Sequence, residues 1–156
     1  MEKARKVTDK KQALSKAEHY CAYQERSQQE VRDKLYDLGL YRPDVEAVIS
    51  ELIQTNFLNE ERFAMAYAQG KFRMKNWGKL KIKHGLKLKK VSDRLITKAL
   101  NSIDGDEYAK ALETILLKKG TLLAEKNPVK RNQKLVSYAL GKGFERDLVW
   151  EMLKKD

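Results

Sequence analysis

Apolar residues recur along this chain at the three- and four-residue intervals of an α-helix. Leu14, Ala17 and Cys21, with Gln24 beyond them, share one helical face. Ser27-Gln28-Gln29-Glu30 has the form of a capping box, in which the serine and the glutamate satisfy each other's backbone amides. Val31, Leu35 and Leu38 follow, and Gly39 is placed to end that helix in the left-handed conformation. A third helix opens near Pro43-Asp44 and buries Val45, Val48, Ile49 and Leu52. Asn59 caps a fourth, whose inner face reads Phe63, Ala66, Tyr67 and Gly70. Ile82 and Leu86 define a helix after Gly78, and Ser92 caps one that turns Leu95, Ile96, Ala99 and Leu100 inward. Beyond a break at Asp104-Gly105-Asp106 comes a long stripe, Tyr108, Ala111, Leu112, Ile115 and Leu116, ended by Gly120. Asn127-Pro128 starts the next helix, which buries Leu135, Tyr138 and Ala139, and Leu148, Val149, Met152 and Leu153 close the chain.

The helices fall into triplets. The turn residue after each middle helix is Leu40, Val91 and Phe144, at separations of 51 and 53 residues, and an apolar face follows each. We read residues 1–11 as a disordered basic tail, then three-helix units at 12–58, 59–103 and 104–156. A unit of that size buries too little surface to be robust alone, so neighbours are expected to share core. The fold class is all-α: tandem helix-turn-helix-like repeats in an elongated, curved molecule. The composition agrees, since only two prolines and eight glycines occur in 156 residues, with 35% charged and 42% apolar.

Charge adds a second pattern. The net charge is +11, and residues 71–90 hold nine cations and no acid. Like charges at helical spacing repel one another, so a polyanion that neutralises them is the natural partner. Lys79, Lys83, Lys87 and Lys90 project within about 80° of each other on an ideal helix, flanked by Lys71, Arg73, Lys75, Lys81 and Lys89. Lysines act as point charges towards phosphate and do not read sequence, so backbone recognition of single- or double-stranded DNA is expected. Residues 28–70 carry a net −4, and Asp33, Asp37, Glu60 and Glu61 are candidates for docking a basic protein surface.

Several chemistries are excluded by what is missing. No Gly-rich phosphate loop, HExxH or Ser/His/Asp arrangement occurs, so the chain does not read as an enzyme. One cysteine and two histidines leave no all-protein metal site, and no cofactor is expected. No run of apolar residues could span a membrane, and no secretory signal is visible. A cytoplasmic monomer is the expectation. Trp77, ahead of the basic helix, either stacks on an unpaired base or packs on its neighbours. His84 reads as a surface residue, Gly85 as a site of close helix packing, and Cys21 as a buried thiol.

Three stretches together resemble the bacterial RecX family of recombinase regulators. One is the Ser-capped helix with Glu30, Leu35 and Leu38-Gly39. Another is Phe57-Leu58-Asn59-Glu60-Glu61-Arg62-Phe63-Ala64. The third is Gly78-Lys79-x-Lys81-Ile82-x3-Leu86-x2-Lys89. Leu140-Gly141-Lys142-Gly143-Phe144 is similar to the family's third-unit turn. The resemblance implies tandem three-helix units that bind the RecA–DNA filament and limit recombinase activity or filament growth. The chain departs from the family pattern at Lys89-Lys90, where Lys-Gly is usual, and at Asn59, where Asp is commoner. A stand-alone, nonspecific nucleic-acid-binding or transcriptional protein is the alternative. Binding of the basic helix to a membrane surface ranks last, because lysines interrupt its apolar face.

Overall fold

Helix N-termini are fixed by short polar side chains. Asp9, Ser27, Asn59, Ser92, Asp104 and Asn127 each accept a hydrogen bond from the backbone N–H three residues on. Ser27 completes a capping box, with its own N–H donating to Glu30 at 2.9 Å. The computed structural model describes residues 9–154. These form α1 (Lys10–Tyr23), α2 (Gln28–Asp37), α3 (Arg42–Gln54), α4 (Glu60–Lys75), α5 (Lys79–Leu88), α6 (Asp93–Asn101), α7 (Gly105–Leu122), α8 (Pro128–Gly141) and α9 (Arg146–Lys154). No strand occurs among the described residues. α1 begins at Lys10, so Lys10 and Lys11 are helical and do not belong to a disordered tail; residues 1–8 of that predicted tail lie outside the described residues.

The three turns aligned in the sequence are one motif built three times. Gly39 N–H donates to Tyr36 O (2.9 Å) and Leu40 N–H to Leu35 O (3.3 Å). Lys90 bonds Lys87 O (2.9 Å) and Val91 bonds Leu86 O (3.2 Å). Gly143 bonds Leu140 O (3.0 Å) and Phe144 bonds Ala139 O (3.1 Å). Each is a Schellman cap with a buried apolar residue after it. The left-handed position has φ of 93° at Gly39, 60° at Lys90 and 98° at Gly143. The lysine thus adopts the conformation that glycine takes in the other two turns.

Two cores result. Ala13, Ala17, Cys21, Val31, Leu35, Val45, Val48, Ile49 and Leu52 close the first unit upon itself, with Leu40 and Leu58. The second and third units share a single core, in which Tyr108 lies between Phe72 and Phe144 at centroid distances of 5.7 and 5.0 Å. Burial holds the Cys21 thiol protonated, its pKa pushed up to about 11.

Some inner faces differ from the sequence reading by one helical position. Ala13 is fully buried and Leu14 only partly, while Gln24 is exposed. Ala64 and Ala68 are buried in α4 and Ala66 is exposed. The small residues there are chosen by contact with neighbouring helices, which apolar spacing does not show. α7 continues past Gly120, whose carbonyl accepts from Arg131 Nη2 at 2.6 Å, so this glycine receives a guanidinium and does not end the helix. Val136 replaces Tyr138 in the buried face of α8.

The joints between units differ in kind. The first and second units meet through polar groups: Arg62 grips Glu25 at 2.8 and 3.3 Å, and Gln28 N–H donates to Glu60 Oε2 at 3.3 Å. The second and third meet backbone to backbone, with Gly78 N–H donating to Lys142 O (2.7 Å) and Leu80 N–H to Gly143 O (2.9 Å). Among the described residues no hydrogen bond or ion pair links the first unit to the third.

Lys90→Gly is expected to stabilise the chain by about 0.5–1 kcal/mol in urea unfolding, because glycine relieves a left-handed strain larger than the entropy it adds to the unfolded state. Gly143→Ala in the same assay should cost about 2 kcal/mol or more, since its Cβ would lie 2.4 Å from Lys81 Cβ. A second prediction concerns Glu60, whose Oε1 is buried without a partner and whose pKa is raised by burial against the bond from Gln28. A carboxyl whose pKa is raised on folding contributes stability below its unfolded pKa and loses that contribution as pH rises through the folded value. Glu60→Gln should therefore raise stability at neutral pH, and its advantage over the parent chain should vanish on acidification through the carboxylate range.

Candidate nucleic-acid interface

Residues 71–90 occupy the last turns of α4, the whole of α5 and the turn after it. Ile82 and Leu86 anchor α5 in the shared core. Gly85 lets α5 pack close, since a Cβ there would meet the Tyr67 hydroxyl at 2.1 Å. Gly78 must also be glycine, because its Cβ would fall 2.3 Å from the Gly143 carbonyl carbon. A free helix N-terminus binds anions through its amides, but that of α5 is already occupied. Gly78 and Leu80 donate to the third-unit turn, and Lys79 N–H donates to Tyr108 Oη at 2.8 Å. Tyr108 donates in turn to Glu145, and burial together with that carboxylate pushes the phenol pKa up, so it stays protonated. Any polyanion must therefore be met by side chains.

The nine cations sort into three groups. Lys75, Lys83, Lys87 and Lys90 are exposed and have neither a carboxylate nor an aromatic partner among the described residues. Lys71, Lys79 and Lys81 are half-buried against rings. The Lys71 and Lys81 ammonium groups lie 5.0 and 4.8 Å from the Trp77 centroid, and that of Lys79 lies 5.0 Å from Tyr108. Arg73 and Lys89 face carboxylates, Glu107 at 3.7 Å and Glu30 at 3.5 Å. Solvent-exposed pairs of this kind contribute little, so they remain exchangeable for phosphate.

Two sequence expectations change here, for Lys79 and Lys90, and the two readings of Trp77 separate. Lys79 is not solvent-facing, because the first residue of α5 rests on Tyr108. Lys90 is not on the α5 stripe, since the helix ends at Leu88 and Lys90 sits in the turn. Trp77 packs edge-on to Tyr67 at 6.5 Å against the shared core, as its neighbour-packing reading required. Its two cationic neighbours come from different helices, a juxtaposition that single-helix spacing does not reveal.

The acidic candidates divide as well. Asp33 and Asp37 are exposed on α2, with Asp33 accepting from Gln29 Nε2 at 2.9 Å. Glu60 is spent on the joint with the first unit, and Glu61 pairs with Lys98 at 2.9 Å. Sequence reading missed Arg62, which binds Glu25 and the Asn56 carbonyl across the joint; its place within the Phe57–Ala64 stretch was the available signal. No cluster that could hold a metal occurs among the described residues. No helix among them is long and apolar enough to cross a membrane.

The described helices thus form a tandem array of three-helix units whose middle unit carries the exposed cations. Residues 13–52 match the family model for the RecX first three-helix domain, and residues 59–100 match that for the RecX second three-helix domain. A protein of Clostridium acetobutylicum called Regulatory protein RecX is 32% identical over 147 residues, covering 92% of this chain and 68% of its own. One of the same name from Prosthecochloris aestuarii is 29% identical and covers 94% of both chains. Against the Clostridium perfringens relative the chain spans 58% of that protein's length, at 32% identity. The crystal structure of RecX from Lactobacillus salivarius superposes with a TM-score of 0.86 at 23% identity, over 94% of this chain and 95% of that one, and so shares the fold. This chain belongs to the RecX family.

Reversing Lys83 and Lys87 together to Glu should weaken DNA binding while leaving the helical circular dichroism unchanged, because both side chains are exposed. If the four unpartnered lysines are the phosphate contacts, log K against log[salt] should slope about −3 on single strands and about −3.5 on duplex. A flat response would remove this surface from consideration.

Proposed function

We propose that this chain is a non-enzymatic modulator of the RecA recombinase, binding the RecA–DNA filament and limiting its growth or its ATP hydrolysis. The observation that carries the reading is a RecX three-helix array whose middle unit presents Lys75, Lys83, Lys87 and Lys90 to solvent without compensating acids. Those lysines take DNA phosphates, with Arg73 and Lys89 exchanging their carboxylates for phosphate and Lys71, Lys79 and Lys81 adding charge from behind. Asp33 and Asp37 on the first unit offer a face to basic groups on the recombinase. A protein that binds assembled filament more tightly than free subunits shifts the assembly equilibrium by that difference in affinity. No reacting group is needed for this.

The test is ATP hydrolysis by the cognate RecA on single-stranded DNA, with this chain added at one copy to many RecA subunits. Hydrolysis should fall at substoichiometric ratios, and the Lys83→Glu/Lys87→Glu chain should need more protein for the same effect. Unchanged hydrolysis, together with tight binding to DNA alone, would instead identify a stand-alone nucleic-acid binder.

A further inference from the structure

A second basic groove lies on the first unit. The groove, of about 510 Å³, runs beside α1 and reaches Arg26 after it and Lys34 in the last turn of α2, and its lining holds cations and tyrosines but no carboxylate. Arg26 is its fixed point. Its Nε donates to the Tyr20 carbonyl at 2.9 Å, and its guanidinium carbon sits 3.7 Å from the centroid of the Tyr20 ring. The guanidinium is thereby held in one plane with both terminal nitrogens uncommitted, the geometry that suits a two-point contact with phosphate. Lys34 Nζ lies 5.5 Å from the same ring. Neither cation has a carboxylate within ion-pair distance among the described residues. Of the acids on α2, Glu30 is engaged with the Ser27 N–H and Lys89, and Asp33 accepts from Gln29.

Beside Arg26 stands Tyr23, the last residue of α1, with 83% of its surface exposed and its ring 5.9 Å from the same guanidinium. An open aromatic face next to a pinned cation matches a base next to its phosphate. A duplex keeps its base faces stacked, so only an unpaired strand can use both groups.

We propose that this groove binds single-stranded nucleic acid, with a base on the Tyr23 ring and the adjoining phosphate on Arg26 and Lys34. The proposal rests on nucleic acid being a partner of this chain, and adds a contact on a different unit from the lysines of α5. The full chain is tested against oligothymidylate and against a blunt duplex of equal length, with Tyr23→Ala, Tyr23→Trp and Arg26→Ala variants. Tyr23→Ala should weaken oligothymidylate binding about 5- to 100-fold and change duplex binding by less than about twofold. Tyr23→Trp should restore it, and Arg26→Ala should weaken it. An oligonucleotide carrying 5-iododeoxyuridine should photo-crosslink to Tyr23 by mass spectrometry. Unaltered oligothymidylate affinity in Tyr23→Ala, with loss in Lys83→Glu/Lys87→Glu, would overturn this site and leave the middle-unit reading standing. Loss in Tyr23→Ala alone would support this site and count against the other. Equal competition by polyglutamate, insensitive to Tyr23→Ala, would show a general acid-binding patch and overturn the proposal.

Discussion

Where the middle unit meets the third, two glycine backbones come closer than any side chain permits. Gly78 and Gly143 would each thrust a Cβ within 2.4 Å of the opposing segment, and the hydrogen bonds from Gly78 and Leu80 depend on that approach. The contact fixes the start of α5 and closes its amide end. It also brings Tyr108 and Phe144 into one core with Phe72. Every lysine of α5 is then placed by a helix that cannot rotate without breaking backbone hydrogen bonds. The cationic surface is therefore a property of the second and third units together, although its residues all belong to the second.

The repeated turn explains how three units of different surface chemistry share one fold. Its requirements are local: two backbone hydrogen bonds, a left-handed residue and an apolar plug. Leu40, Val91 and Phe144 meet the last of these with side chains of quite different volume. Lys90 accepts the strained backbone in the middle unit, and in doing so brings one more cation to the basic surface. Strain of this sort persists where the surrounding structure over-determines it, as the core residues Leu86 and Val91 do on either side.

Much of the architecture was legible from spacing and caps, because both are local. Ser27, Asn59, Ser92 and Asn127 mark helix starts through their own side chains, and the aligned Leu40, Val91 and Phe144 are the buried plugs of the three turns. The basic surface was legible as charge but not as geometry. Lys79 and Lys90 left the predicted stripe because one rests on a tyrosine from another unit and the other lies past the helix end. Arg62 with Glu25, and Gly78 with Gly143, are partners brought together from far apart in the chain, and no periodicity encodes them. The interior choice of Ala64 and Ala68 over Ala66 was hidden for a related reason, since alanine fits either side of a helix until a neighbour is present.

The polar joint between the first and second units bears on how the molecule would hold a long partner. The first unit keeps its own core and is tied to its neighbour by Arg62, Glu25, Glu60 and Gln28. Groups on either side of that joint are tethered at short range, so a strand engaged by one is presented to the other at a high effective concentration. Two modest grips of the kind proposed would then multiply into avidity, and dissociation would require both to release within the same interval. Dissolved ions weaken each grip and the tether's own charge pairs at once, so the hold on a polymer would fall away with ionic strength more steeply than on a fragment too short to reach both.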